Sequence, residues 1–142
     1  MDSGNFDPLK LENQLCFPLY SCSREIIKQY KPYLDEIDLT YTQYITMMVM
    51  WEHQSLKVGE ISKFLYLDTG TLSPLLKSME EKGLVSRVRE KGDERVVTIS
   101  ITEEGEALKE KALSVPEAMD KCVNLSPEEA QSLYEILYKL LG

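Results

Sequence analysis

Histidine and cysteine are scarce in this 142-residue chain. There is one histidine, His53, and three cysteines, Cys16, Cys22 and Cys122, with no Cys-x-x-Cys pair. No Cys/His spacing suits a structural zinc, so neither a metal nor another cofactor is expected. Long apolar runs are also missing. The longest nearly apolar stretch, Ile45 to Trp51, is seven residues, where a membrane span needs about 20. The leading MDSGNFDPLKLENQ is polar and acidic, with neither a basic n-region nor an apolar h-region, so no signal peptide is expected. Glycine (7) and proline (6) are too few for a collagen-like or low-complexity chain. These absences point to a cytoplasmic protein with reduced thiols.

What is present fits one domain, or one domain with a dimerisation element. The net charge of −8 alone argues against nucleic acid, but it is unevenly spread. Residues 56–102 are net +1, and the remainder is net −9. One central segment has thus been kept clear of the acidic excess.

Asp7-Pro8 resembles a helix start, with Asp as N-cap and Pro at the first helical position. Leu11, Leu15, Leu19, Ile26 and Tyr30 then recur at helical spacing, which predicts one amphipathic helix over 8–30. Pro18 inside it predicts a kink near Gln14. Residues 40–54 form a second helix, apolar around so much of its surface that it belongs in the core. Short helices follow over 58–65 and 69–82, the second ended by Gly83. The period then changes. Leu84–Arg89 and Val96–Ile101 are β-branched strands flanking the charged tip 90–95, a hairpin. Thr102 caps a helix of about 103–114. Ser126-Pro127-Glu128-Glu129 is a capping-box start for the last helix, with Leu133, Leu137, Leu140 and Leu141 on one stripe.

The fold class is therefore mainly α with a small β-hairpin. It is a winged helix-turn-helix over 40–102 flanked by a helical dimerisation region, 8–36 and 103–142. In the second helix of that motif, Leu72, Leu75, Leu76 and Met79 face inward. This leaves Thr69, Gly70, Thr71, Ser73, Pro74, Lys77 and Ser78 to enter a major groove about 12 Å wide. The hairpin offers Arg87, Arg89, Lys91, Asp93 and Arg95 for the backbone or minor groove. The partner class is double-stranded DNA.

Leu56 to Thr102 resembles the MarR family of bacterial regulators. Asp93-Glu94-Arg95 followed by Ile101-Thr102 is similar to that family's wing signature. Gln14-Leu15-Cys16-Phe17, Leu39-Thr40-Tyr41, Gln43-Tyr44, Leu67-Asp68-Thr69-Gly70-Thr71-Leu72 and Pro74-Leu75-Leu76-Lys77 narrow the resemblance to its organic hydroperoxide resistance branch. It extends over about residues 9–141. The resemblance implies a homodimer on a pseudo-palindromic operator, with Cys16 as the thiol that organic hydroperoxides oxidise. It also implies that Tyr30 and Tyr41 reach that thiol from the other subunit, with Tyr20 nearby. Two positions depart from the branch: Pro18, where many members have Ala or Leu, and Ser78, where many have Arg.

A sensing thiol reacts as the thiolate. On the helix expected for 8–30, Cys16 is mid-helix and has no cation within one turn, so local charge does not activate it. The resemblance implies hydrogen bonds from tyrosine hydroxyls instead. The alternative role for Tyr20, Tyr30 and Tyr41 is packing at a dimer interface. Cys22 is six residues on, at a rise of ~9 Å, and cannot bridge to Cys16 within one helix. By the resemblance, Cys122 is a resolving cysteine supplied by the other subunit. The alternative is a one-cysteine sensor whose sulfenic acid is capped by a small thiol or over-oxidised. Two rival readings differ in class. One is a repressor released by a small aromatic ligand; the other, less favoured, is a thiol peroxidase.

Overall fold

The computed structural model describes residues 7–142. The leader Met1–Phe6, on which the signal-peptide reading partly rests, lies outside the described residues. Helix α1 spans Cys16–Asp35. It does not begin at Pro8, because the preceding segment folds on itself. The Asp7 carboxylate accepts from the Leu9 amide at 2.9 Å, and the Gln14 side-chain amide donates to the Pro8 and Lys10 carbonyls at 2.7 and 2.9 Å. A single 3-10 turn, Leu11–Asn13, is all the helix this leaves, and Gln14 is extended. Pro18 thus falls in the first turn of α1, where its missing N–H has no carbonyl to meet, and the expected kink becomes a helix start. At the other end α1 passes Tyr30 and Pro32 to reach Asp35, and Leu34 anchors it in the core.

Helix α2, Tyr41–His53, begins in a capping box in which Thr40 and Gln43 satisfy each other's amides. Met47 and Met50 are fully buried at its centre, as its composition predicts. Strand β1, Ser55–Lys57, is too short to show a period and was not expected from sequence. It pairs antiparallel with β3, Leu56 opposite Ile99. Helix α3, Val58–Leu65, turns through left-handed Tyr66 into α4, Thr69–Glu81. Strands β2, Val85–Glu90, and β3, Asp93–Ile101, complete a sheet of order β1-β3-β2. The hairpin is longer than predicted: its tip is only Lys91 and Gly92, the latter at φ +95°. Pairing slips between Arg89, opposite Val97, and Glu90, opposite Asp93, so the β3 strand bulges around Glu94–Val96.

The C-terminal third is helical: α5, Glu103–Ala112, α6, Ser114–Asp120, and α7, Pro127–Leu141. Val115 and Met119 pack α6 into the core beside α1. By contrast, α7 buries no residue, and Leu133, Tyr134, Ile136 and Leu140 remain exposed on it. Leu15 and Phe17 are likewise exposed at the opening of α1.

Gly105 fixes how closely α5 approaches the sheet. Its carbonyl accepts the buried Trp51 indole N–H at 2.8 Å. A Cβ there would overlap the Leu84 carbonyl oxygen and press on Ile101 Cγ1 at 2.9 Å. Gly105→Ala is expected to lower stability by about 1–3 kcal/mol, the usual cost of overpacking. In urea unfolding the midpoint should fall with unchanged slope; an unchanged midpoint would show that α5 is free to move away.

Candidate sensing thiol and nucleic-acid interface

Cys16 is the first residue of α1 and is exposed. The mid-helix placement expected from sequence is therefore corrected. The sulfur lies at the end of a 20-residue helix where unpaired amides and the positive end of the macrodipole favour a negative group. One turn along sits Tyr20, with the Arg24 guanidinium 5.4 Å above its ring.

The other two tyrosines are elsewhere. Tyr30 and Tyr41 pack together with ring centroids 5.0 Å apart, and Tyr44 joins them at 5.9 and 6.5 Å. Burial pushes the hydroxyls of all three above the ordinary tyrosine value, so they remain protonated donors at neutral pH. Tyr44 was not singled out from sequence, because it sits in the nearly apolar helix that signals core. Tyr30 is 14 residues along α1 from Cys16, about 21 Å at the helical rise. In its own chain Cys16 cannot touch this cluster.

Cys122 follows α6 in a turn, exposed, its thiol donating to the Ala118 carbonyl at 3.5 Å. Beside it is the Tyr33 hydroxyl, whose pKa is raised chiefly by the neighbouring Cys122 thiol. Tyr33 is 17 residues from Cys16, about 25 Å along α1. A disulfide requires Cα atoms within about 7 Å, so Cys16 and Cys122 of one chain cannot bridge. Cys22, six residues from Cys16 on the same helix, cannot bridge to it either.

Helix α4 and the wing carry a separate set of polar and basic groups. Asp68 caps α4 by accepting from the Thr71 amide at 2.6 Å, a bond that holds its carboxyl below the usual carboxylate range. Leu72, Leu76 and Met79 are buried, while Thr69, Gly70, Thr71, Ser73, Pro74 and Lys77 lie exposed on the outer row. Ser78 departs from that row. It is half-buried, donates to the Leu75 carbonyl at 2.6 Å, and accepts from the Gln43 amide at 3.0 Å, so it faces α2. In the wing, Arg89 donates to the Glu94 carbonyl at 2.7 Å and closes the bulge. Arg87 is half-buried opposite Ile99, and Lys91 is exposed at the tip. Asp93 brackets Arg95: Oδ1 lies 3.1 Å from both its backbone N and its Nε, and the guanidinium stays 91% exposed. Asp93 therefore acts as the holder of Arg95. Lys57 and Lys63, missed from sequence, line a cleft of about 360 Å³ with Arg95 between α3 and the wing. Their place became visible only once β1 and α3 were set beside β3.

Comparison with known proteins places this arrangement. Residues 28–112 match the family model for the SarA/Rot transcriptional regulators. The organic hydroperoxide resistance transcriptional regulator of Bacillus subtilis is 51% identical over 97% of this chain and 94% of its own length. The chain belongs to the MarR family of transcriptional regulators, in its organic hydroperoxide resistance branch. The HTH-type transcriptional regulator SarZ of Staphylococcus aureus is 43% identical over 87% of this chain and 83% of its own. Reduced AbfR bound to DNA is 34% identical with a TM-score of 0.76, over 92% of this chain and 91% of that one. Among the described residues of this MarR-family chain, no helix is long and apolar enough to cross a membrane.

The Asp93 bracket has a pH consequence. The hydrogen bonds from Arg95 depress the Asp93 carboxyl below its ordinary value. Such a contact is intact above the ordinary value and is lost only as pH falls through the depressed one. Following the Asp93 carboxyl carbon by NMR should therefore give a midpoint below that of a free aspartate. A midpoint at or above the free value would show that the wing does not hold Arg95 this way.

Proposed function

We propose that this regulator is a homodimeric repressor that leaves its operator when an organic hydroperoxide oxidises Cys16. The observation that carries the reading is the separation of the sensing parts. Cys16 opens α1, whereas buried Tyr44, half-buried Tyr30 and Tyr41, and Cys122 gather at its far end, about 21–25 Å away. A second copy with its α1 running antiparallel brings each Cys16 to the partner's tyrosines. The same pairing covers the exposed apolar faces of residues 8–36 and 103–142, which would otherwise stay in water.

In the chemistry, the Cys16 thiolate attacks the terminal peroxide oxygen. The O–O bond breaks, the hydroxyl stays on sulfur as a sulfenic acid, and the alkoxide takes a proton from water and leaves as the alcohol. The partner's Cys122 thiolate then attacks the sulfenic sulfur and the S–O bond breaks. Hydroxide departs and takes up the proton that thiol gave up, leaving as water, and an intersubunit disulfide forms. The similar regulator AbfR has been solved reduced on DNA, over-oxidised on DNA and with a disulfide formed, so a disulfide is a state that a related chain reaches. The relatives are regulators, and one oxidation per thiol is a signal rather than a turnover.

On DNA, the outer row of α4 enters the major groove and Arg95 follows the wing, with Lys57 and Lys63 toward the backbone. One feature favours the ligand-release reading: an apolar cavity of about 360 Å³ lined by Tyr44, Met48, Trp51 and Leu113 among others. The cysteine variants separate the two.

In a gel shift, wild-type protein and Cys22→Ser should release the operator on cumene hydroperoxide, while Cys16→Ser should bind and stay. Release that persists in Cys16→Ser would remove the redox switch and leave the ligand reading. Arg95→Ala should weaken operator binding by about 1–3 kcal/mol, and Lys77→Ala should reduce the salt slope by about 1. Unchanged affinity in both would mean that the DNA-facing side is misassigned.

A further inference from the structure

The sensing reading leaves open how a change at the tyrosines reaches the recognition helix. A polar network around the buried Gln43 side chain joins the two. Gln43 is only 5% exposed and lies in the first turn of α2, two residues after Tyr41 and beside Tyr44. Its Oε1 accepts from the Thr40 amide at 3.0 Å and from Lys82 Nζ at 2.9 Å. Both of those groups only donate, so the oxygen must face them and the amide nitrogen must face the other way. There Nε2 donates to Ser78 Oγ at 3.0 Å, on α4. Lys82, just past the end of α4, also donates to the Asp38 carbonyl at 2.5 Å, with the Asp38 carboxylate 3.7 Å away. One side chain thus holds the α1–α2 corner, the start of α2 and the C-terminal end of α4.

We propose that Gln43 is a positioning residue that couples the tyrosine end of α2 to the recognition helix, through Ser78 and Lys82. The inference rests on the redox reading and deepens it. A displacement of Tyr41 moves the first turn of α2, because the capping box makes that turn one unit. Gln43 moves with it. Buried hydrogen bonds are costly to leave unmade, so Ser78 and Lys82 follow rather than let go. Helix α4 is rigid, and a shift at Ser78 carries its outer row along. The departure of Ser78 from the branch gains a sense here: a short hydroxyl at this position turns inward to the amide, where a long cation would point to DNA.

The test compares operator affinity before and after cumene hydroperoxide, with Cys16 oxidation read in parallel by mass spectrometry. In Gln43→Leu and in Ser78→Ala, the ratio of reduced to oxidised affinity should fall by about 2- to 30-fold against wild type. Cys16 should oxidise to the same extent in all. Ser78→Thr keeps a hydroxyl and should keep the ratio. A purely structural role would weaken binding equally in both states; an unchanged ratio in both loss variants overturns the proposal. If Gln43→Leu fails to fold, Ser78→Ala against Ser78→Thr decides alone. Failure of the wild type itself to release once Cys16 is oxidised would instead overturn the redox reading, and the coupling role with it.

Discussion

The stiffness of α1 is the constraint on which the rest depends. Twenty helical residues begin at the thiol and end in the core at Leu34. A rod cannot fold back, so Cys16 is kept about 21 Å from the tyrosines of its own chain. Along its own helix the thiol has Tyr20 one turn away, together with the amide end where the helix begins. Two separate features, the distance from Cys16 to the tyrosines and the exposed apolar faces on α1 and α7, are both met by the antiparallel pairing of two copies proposed above.

From the tyrosine end the structure narrows to α2. Its inner residues Met47 and Met50 form the middle of the core, and its first turn touches both the tyrosine cluster and, through Gln43, the recognition helix. The wing is fixed by separate, local means. Arg89 closes the bulge and Asp93 holds Arg95, so these exposed side chains are oriented before any DNA arrives. Preorganisation of this kind reduces the ordering cost of binding.

The winged helix was legible in sequence because its signals are local. The Leu72/Leu76/Met79 stripe, the Asp68 cap and the β-branched hairpin each act over a few residues, as does the Ser126 cap of the last helix outside it. What was not legible needed tertiary partners or competing local bonds. Asp7-Pro8 has the pattern of a helix start, but the side-chain amides of Asn13 and Gln14 return to nearby carbonyls and hold a turn instead. That moved Cys16 from mid-helix to a helix start and made Pro18 harmless. Strand β1 exists only because β3 offers it an edge. Ser78 was assigned to the outer row by composition, and only the buried amide of Gln43 shows that it turns inward. The roles of Cys16, Tyr30 and Tyr41 came from family resemblance, since no spacing in one chain brings them together.

The most direct measurement of the divided site uses mixed dimers. Cys16→Ser protein is combined with Cys122→Ser protein, exchanged to heterodimers, and treated with cumene hydroperoxide. Each chain then has one member of the pair, and only a contact between subunits can join them. The account predicts a covalent dimer on a non-reducing gel, at twice the 16.3 kDa chain mass. If wild-type protein forms a Cys16–Cys122 disulfide and the mixed dimer does not, the claim that each sensing site is built from both chains is contradicted.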